Sequence, residues 1–271
     1  LAEKNYGWRT VPEETLVELA EQCIREVTAD YGNQILSSSY RHAYMVERMT
    51  RMIKRTLWAL SEQLKMGEFE PTDYEMAFSY MDGFENTRMN LEKERVMCLY
   101  GRIDRIDSYQ EQLDEKDAIY VKVIDYKTGS TKFQIQNLYY GLQMQLVVYM
   151  NAALEQKETS LPTETNAEVV PAGIFYYNID DPIIERKGSE EELREAILKE
   201  LKMNGLVNEE THLIQLLDRS FGKEAQLNGS VKSLAIPVDT TKDGKIGSYS
   251  TTATKEQFAM LGAYANHLLA K

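Results

Sequence analysis

The sequence predicts an α/β fold: a central mixed sheet flanked by helices. Three observations predict it. Apolar runs at residues 94–108 and 118–126 flank a short acidic turn and read as a β-hairpin. The next segment, 137–155, is apolar nearly all round, as a helix packed tightly on a sheet would be. A further apolar run, 167–179, then supplies a third strand. Hairpin, helix and strand in that order build a sheet with helices on its faces.

Taken in order, residues 12–29 form a first helix, with Pro12 at its start and Glu13 and Glu14 in its first turn. Residues 38–65 form a second. Tyr40, Tyr44, Met45, Met49, Met52, Ile53, Leu57, Leu60 and Leu64 lie on one broad stripe, which is expected to be core. Ser37, Ser38 and Ser39 stand at its start as caps, and Gly67 ends it. A strand at 73–80 and a polar loop at 82–93 follow. The strand at 94–108 carries Val96, Cys98, Tyr100, Asp104 and Ile106 on one parity. Residues 110–117 are an acidic turn, and 128–130 end the second hairpin strand. A polar loop at 164–166 leads into the strand at 167–179, which Pro171 interrupts. Helices are expected at 189–202 and 208–217, with Gly205 between them. Residues 218–252 are loop-rich, with a short strand at 234–238 and a turn at Asp243 and Gly244. A last helix starts at Lys255. The expected organisation is a helical region, 1–70, packed on a core, 71–180. An accessory elaboration with the C-terminal helix, 181–271, completes the same domain.

The chain has 271 residues, enough for a full core. Its net charge of −12 argues against a generic DNA-coating surface, but an acidic site neutralised by metal can still receive a phosphate. No apolar run is long enough for a transmembrane helix, no signal peptide is visible, and a cytoplasmic location is expected. Beginning at Leu1 and stopping at Lys271 within a helical pattern, the sequence is expected to be a piece of a longer protein. Cys23 and Cys98 form no Cys-x-x-Cys pair, and are expected to be reduced thiols packed as small hydrophobes. No Walker-type phosphate loop is present, so no ATP chemistry is expected here.

The chemistry concentrates on the hairpin. Alternate side chains of a strand share a face, so Asp125 and Lys127 project together, with Tyr126 on the reverse. Asp104 sits 21 residues upstream of Asp125. A turn centred near 113 and 114 would set Asp104 opposite Val123 or nearby, and diagonal to Asp125, roughly 5 to 8 Å away on the same face. A slip of one residue would defeat the site. Two acids beside an ammonium suit metal-assisted phosphodiester hydrolysis: the acids hold a hard cation, and the lysine orients water or offsets phosphate charge. On the next helix Gln145 and Tyr149 are four apart and share a face. Blander readings stand beside these. Asp104 could be a salt-bridged strand acid and Lys127 a surface lysine. Gln145 and Tyr149 could be satisfied polar groups on a buried helix. Asp107 is expected to form a surface pair with Arg105 and His42 to be a helix-entry residue, while Glu75 is either structural or an additional acid near the site.

Five stretches carry a family likeness: GRIDRID (101–107), VIDYKTG (123–129), YYGLQMQLVVYM (139–150), AGIFYYNI (172–179) and LKMNGLV (201–207). On these the chain resembles the RecB-type branch of the PD-(D/E)xK nucleases. More narrowly, it resembles the C-terminal nuclease domain of the AddB/RexB family within the ATP-dependent helicase–deoxyribonucleases. The resemblance implies a restriction-endonuclease-like core. It implies Asp104 and Asp125 as ligands of Mg²⁺ (Mn²⁺ in an assay), with the Tyr126 backbone carbonyl as an extra ligand. It implies Lys127 as the catalytic lysine, and Gln145 and Tyr149 as a pair lining the DNA path. It also implies an exonuclease of bacterial double-strand-break processing and recombination. Such a domain acts on DNA ends and on single strands from unwound duplex, cuts the strand entering with a 5′ end, and works beside an AddA-type helicase–nuclease partner. The chain departs from the family in two respects. Its histidines, His42, His212 and His267, do not fit the upstream Gly-x-x-x-His element. The four cysteines that hold an iron–sulfur cluster are not recognisable, so a cluster is expected in the full-length parent and not in this piece. The alternatives are a catalytically silent DNA- or partner-binding module of the same fold, a CRISPR-associated RecB-type exonuclease, and a structural domain with a coincidental Asp-x-Lys strand.

Overall fold

The computed structural model describes residues 6–31, 39–79, 88–90, 96–112, 117–162, 167–185, 188–222, 227 and 229–269. Two helices open it, α1 (Glu13–Asp30) and α2 (Tyr40–Met66). Pro12 precedes α1 as its N-cap, and the Ser39 side chain accepts from the backbone N–H of His42 at the start of α2. Ser37 and Ser38 lie outside the described residues. Gly67 caps α2 at its C-terminus. A Cβ there would lie 2.4 Å from the carbonyl oxygen of Leu217, so the close approach of these segments requires glycine.

Four strands follow: β1 (Glu70–Ser79), β2 (Arg88–Asn90), β3 (Val96–Cys98) and β4 (Tyr100–Glu111). The short β2 and β3 pair with each other, so part of the expected polar loop at 82–93 is a strand. The expected single strand at 94–108 is broken at Leu99. After β4 come β5 (Asp117–Lys127), α3 (Ile135–Tyr139), α4 (Gln145–Thr159) and β6 (Ala167–Asn178). In place of the single helix expected over 137–155, two form, because Gly141 adopts φ +72° between them and breaks the helical path. The chain ends with α5 (Glu190–Glu200), β7 (Asn204–Asn208), α6 (Thr211–Leu217), β8 (Thr252–Ala253) and α7 (Lys255–Leu269). The expected strand at 234–238 is not regular. The Lys232 and Asp239 backbones bridge around bends instead. The predicted turn at Gly244 is present, with φ +72°.

The main sheet runs β1-β4-β5-β6-β7-β8. Antiparallel pairs join β1 to β4, β4 to β5 and β6 to β7, while β5–β6 and β7–β8 are parallel. The sheet is therefore mixed. Pro171 does not stop β6: it pairs with Val121, and the register shifts just beyond it. Alternation along β5 is complete. Ala118, Tyr120 and Ile124 pack into one apolar cluster with the C-terminal part of α2, α5 and α6. Ile119, Val121 and Val123 pack into another with α4 and α7. Such a strand, covered on both faces, sits at the centre of the molecule.

The stripe on α2 is core only in its second half. Leu60 and Leu64 are buried, but Tyr40 is 98% exposed and Met49 51%, and Tyr44 and Met45 are also exposed. The apolar side of this half instead lines an open groove of about 480 Å³ with α1, walled by Leu16, Ala20, Val46, Met49 and Ile53. A helical period marks which side of a helix is apolar, not how far its cover extends. Cys23 and Cys98 are both exposed, contrary to expectation.

Candidate active site

Arg105 pairs with Ile124 across the β4–β5 hairpin, and Ile106 with Val123. The ladder ends at the Arg105–Ile124 pair, and Asp104 lies just beyond it, close enough for its charge to act on Asp125. The expected partner of Asp104 was Val123. Ile106 stands there instead, a difference of two residues. Asp104 also closes the end of the ladder, because its Oδ2 accepts from the backbone N–H of Tyr126 at 2.7 Å. Beside it the β1–β4 edge is irregular. Glu75 adopts φ +49°, a left-handed conformation rare for a side chain of its kind, and bonds Arg102 at 3.3 Å. Ile103 and Ile106, three apart, enter the same apolar cluster, so strand alternation breaks at Asp104.

Asp125 is 2% exposed. Burial pushes its carboxyl above the ordinary value. Lys127 pulls against this rise, and the charge of Asp104 adds to it. Lys127 Nζ lies 2.6 Å from Asp125 Oδ2 in an ion pair, yet that buried oxygen has no hydrogen bond of good geometry. The same ammonium donates to Gln145 Oε1 at 2.9 Å, and Gln145 Nε2 donates to the Tyr149 hydroxyl at 2.8 Å. Asp125, Lys127, Gln145 and Tyr149 therefore form one polar chain running from β5 onto the first turns of α4. The expected pairing of Gln145 and Tyr149 on one helix face is present, and the pair is joined directly to the lysine. Tyr149 meets the Phe78 ring edge-on at 5.7 Å.

Two oxygen-bearing acids across a strand pair fit a hard divalent cation. It would relieve their mutual repulsion and occupy the buried oxygen of Asp125. Among the described residues no group of three or more His, Cys, Asp or Glu side chains could hold a metal ion. Other positions would fall to a backbone carbonyl and water, which suits Mg²⁺, an ion that keeps several waters. Glu75 does not add a third acid: its side chain is exposed and paired with Arg102.

Sequence reasoning missed two features. The first is Tyr176, which pairs with Asp125 in the β5–β6 register and lies under Lys127, the ammonium 5.3 Å from its ring centre. Burial, with Asp125 nearby, pushes its phenol up to about 12, so it stays neutral. The parallel register alone could have placed it. The second is a buried ionic cluster on the reverse face. Asp107 is not in a surface pair: it is 0% exposed and receives Arg105 Nε at 2.5 Å and Nη2 at 2.8 Å. Lys122 Nζ lies 2.8 Å from Oδ2, the oxygen that also receives Arg105 Nη2. Arg105 also donates to the Tyr126 hydroxyl at 3.2 Å, which ties β4 to β5 behind the two acids. Burial opposes the charge on Asp107, but Arg105 and Lys122 outweigh it and hold the carboxyl below its ordinary value. Burial lowers Lys122, with Asp107 resisting. A lone lysine inside the apolar run of β5 was the available signal, since lysine is almost never fully buried unless paired.

A family profile for the PD-(D/E)XK nuclease superfamily matches residues 1–238. The chain belongs to that superfamily. Among relatives, it is 45% identical over 270 residues to the B-type subunit of the ATP-dependent helicase/deoxyribonuclease of Lachnoclostridium phytofermentans, covering 99% of this chain and 22% of that protein. Identity to the same protein is 36% over 263 residues in Alkaliphilus metalliredigens, covering 97% of this chain and 22% of the relative. In Clostridioides difficile it is 34% over 272 residues, covering 99% and 22%. The chain thus spans 22% of the length of these curated relatives.

Proposed function

We propose that this chain is the nuclease module of an AddB/RexB-type protein in a helicase–nuclease complex, hydrolysing DNA phosphodiesters with a divalent cation. The observation that carries the reading is the carboxylate of Asp125 with the charge of Asp104 acting on it and Lys127 Nζ 2.6 Å away. Family membership and relatives named as parts of a helicase/deoxyribonuclease support it. Asp104 and Asp125 would hold Mg²⁺, or Mn²⁺ in an assay, with the Tyr126 carbonyl as a further ligand. When bound, such an ion acidifies a coordinated water and stabilises charge on the phosphate.

The remaining roles belong to the chain. Lys127 orients the attacking water and offsets developing negative charge. Gln145 holds the ammonium in place, and Tyr149 fixes Gln145, so both line the path of the DNA beside the reacting phosphate. Contacts to backbone alone carry no sequence information, so cleavage is expected to be nearly sequence-independent. The parent would process double-strand breaks in the bacterial cytoplasm. It would receive DNA ends and single strands from a helicase-bearing partner, and its iron–sulfur cluster would lie outside this segment. Among the described residues no helix is long and apolar enough to cross a membrane.

The test is Mn²⁺-dependent cleavage of a 5′-labelled single-stranded oligonucleotide, wild type against Lys127→Ala. Cleavage by the wild type, lost in the variant with its circular dichroism unchanged, is the expected result. A wild type that binds Mn²⁺ but cleaves nothing would overturn catalysis and leave a silent DNA-gripping module.

A further inference from the structure

The N-terminal half of α2 is unlike the rest of this acidic protein. No residue of the helix before Thr56 is buried. At about 100° per residue, Arg41, Tyr44, Arg48, Arg51 and Arg55 fall within roughly 80° of arc. They cover about 21 Å of helix axis. The groove-lining residues Val46, Met49 and Ile53 occupy the opposite side. In a chain of net charge −12, one helix face thus carries four arginines with an exposed tyrosine among them. Tyr40, 98% exposed, stands at the free end.

The place of this face in the fold gives it meaning. Arg51 Nε bonds Asp181 at 2.6 Å, and Arg55 bonds the same carboxylate. Asp181 lies three residues past the end of β6, where Asn178 pairs with Lys127 and the Ile179 N–H donates to the Lys127 carbonyl at 2.8 Å. The middle of α2 is therefore fastened to the sheet end that carries the candidate catalytic lysine. From there the basic face runs on through Arg48 and Tyr44 to Arg41. Asp181 neutralises one of the two charges it touches, and Glu47 flanks the face. Arg41 and Arg48 have no ion-pair partner among the described residues.

We infer that this face of α2 seats the phosphate backbone of a DNA strand passing to or from the candidate active site, with Tyr40 and Tyr44 offering rings to its bases. Arginines that follow a backbone, interleaved with exposed aromatic rings on which bases stack, are the elements of single-strand binding. The inference rests on the nuclease reading for the direction of the strand, but its test needs no cleavage.

Binding of a fluorescein-labelled oligodeoxythymidylate is measured by anisotropy in EDTA across a salt series, for the wild type and for Arg41→Gln/Arg48→Gln. Each phosphate contact on a single strand contributes about 0.7 to the slope of log K against log salt, so the variant should lose roughly 1.4. Removing equal charge elsewhere, with Lys242→Gln/Lys245→Gln, should leave the slope unaltered. An unchanged slope in the arginine variant overturns the inference and leaves the face to a protein partner. Equal losses in both variants also overturn it, because they would report net charge rather than a seat. A reduced slope in a protein that cleaves nothing would retain the seat and reject the nuclease.

Discussion

Asp107→Asn should be among the most damaging single changes outside the site. Asp107 is wholly buried and is the shared counter-ion of two buried cations, Arg105 and Lys122. Neutralising it leaves both facing each other without compensation, and breaking a buried pair in this way costs about 3–5 kcal/mol. Against a total of roughly 5–15 kcal/mol, that is a large share of the stability. With about 2–4 °C per kcal/mol for a domain near this size, the melting temperature should fall on the order of 6–20 °C. The measurement is thermal and urea unfolding by circular dichroism. Adding Lys122→Met removes one of the uncompensated charges, so the double variant should be more stable than Asp107→Asn alone. The sign with pH follows from Lys122, whose folded value burial already lowers. In the Asn variant the folded state holds fewer protons than the unfolded, so stability should rise with pH until lysine loses its proton in both states. A loss under about 1 kcal/mol, or a double variant no better than the single, would refute the counter-ion argument.

Two further outcomes follow from neighbouring geometry. Asp125 has a raised folded value, so the folded state binds its proton more tightly. Stability should therefore decline as pH climbs from the ordinary aspartate range through the raised value, and stay reduced above it. At neutral pH Asp125→Asn should melt higher than the wild type while losing Mn²⁺ binding by calorimetry; a lower melting temperature would show that the Lys127 ion pair outweighs burial. Gly67→Ala should cost about 1–3 kcal/mol, because its Cβ would press on the Leu217 carbonyl at 2.4 Å. Unfolding indistinguishable from the wild type would mean that the α2–α6 junction yields freely.

What the sequence made legible was local. Asp125 and Lys127 share a face because a strand has period two, and Gln145 and Tyr149 share one because a helix has period 3.6. The hairpin register lies two residues from the expected one. An even shift keeps the face of every residue within the ladder, which ends at Arg105. The differences have a common origin in contacts between distant segments. The Arg105–Asp107–Lys122 cluster draws on two strands and looks, in one dimension, like ordinary surface charge. The exposed half of α2 has the same apolar period as its buried half, and only the extent of the neighbouring sheet separates them. β7 is hidden because its five residues carry Gly205, whose missing side chain lets the Ile174 backbone approach: a Cβ there would lie 1.9 Å from the Ile174 carbonyl oxygen. Tyr176 is one aromatic among several in β6, and only the β5–β6 register sets it beside Asp125.

The β4–β5 pair has unequal faces. Toward α4 it presents two carboxylates and one ammonium; on the reverse it holds two cations and one carboxylate. The sheet is thus polarised through its thickness, like the plates of a small capacitor. A phosphate approaching the α4 side of the bare protein meets residual negative charge, and the positive layer behind is shielded from contact by the strands themselves. Only an arriving cation inverts the sign of that surface. On the proposed nuclease reading, a bound cation would raise the affinity of this sheet face for phosphate, while the arginine face of α2 would take DNA with or without it.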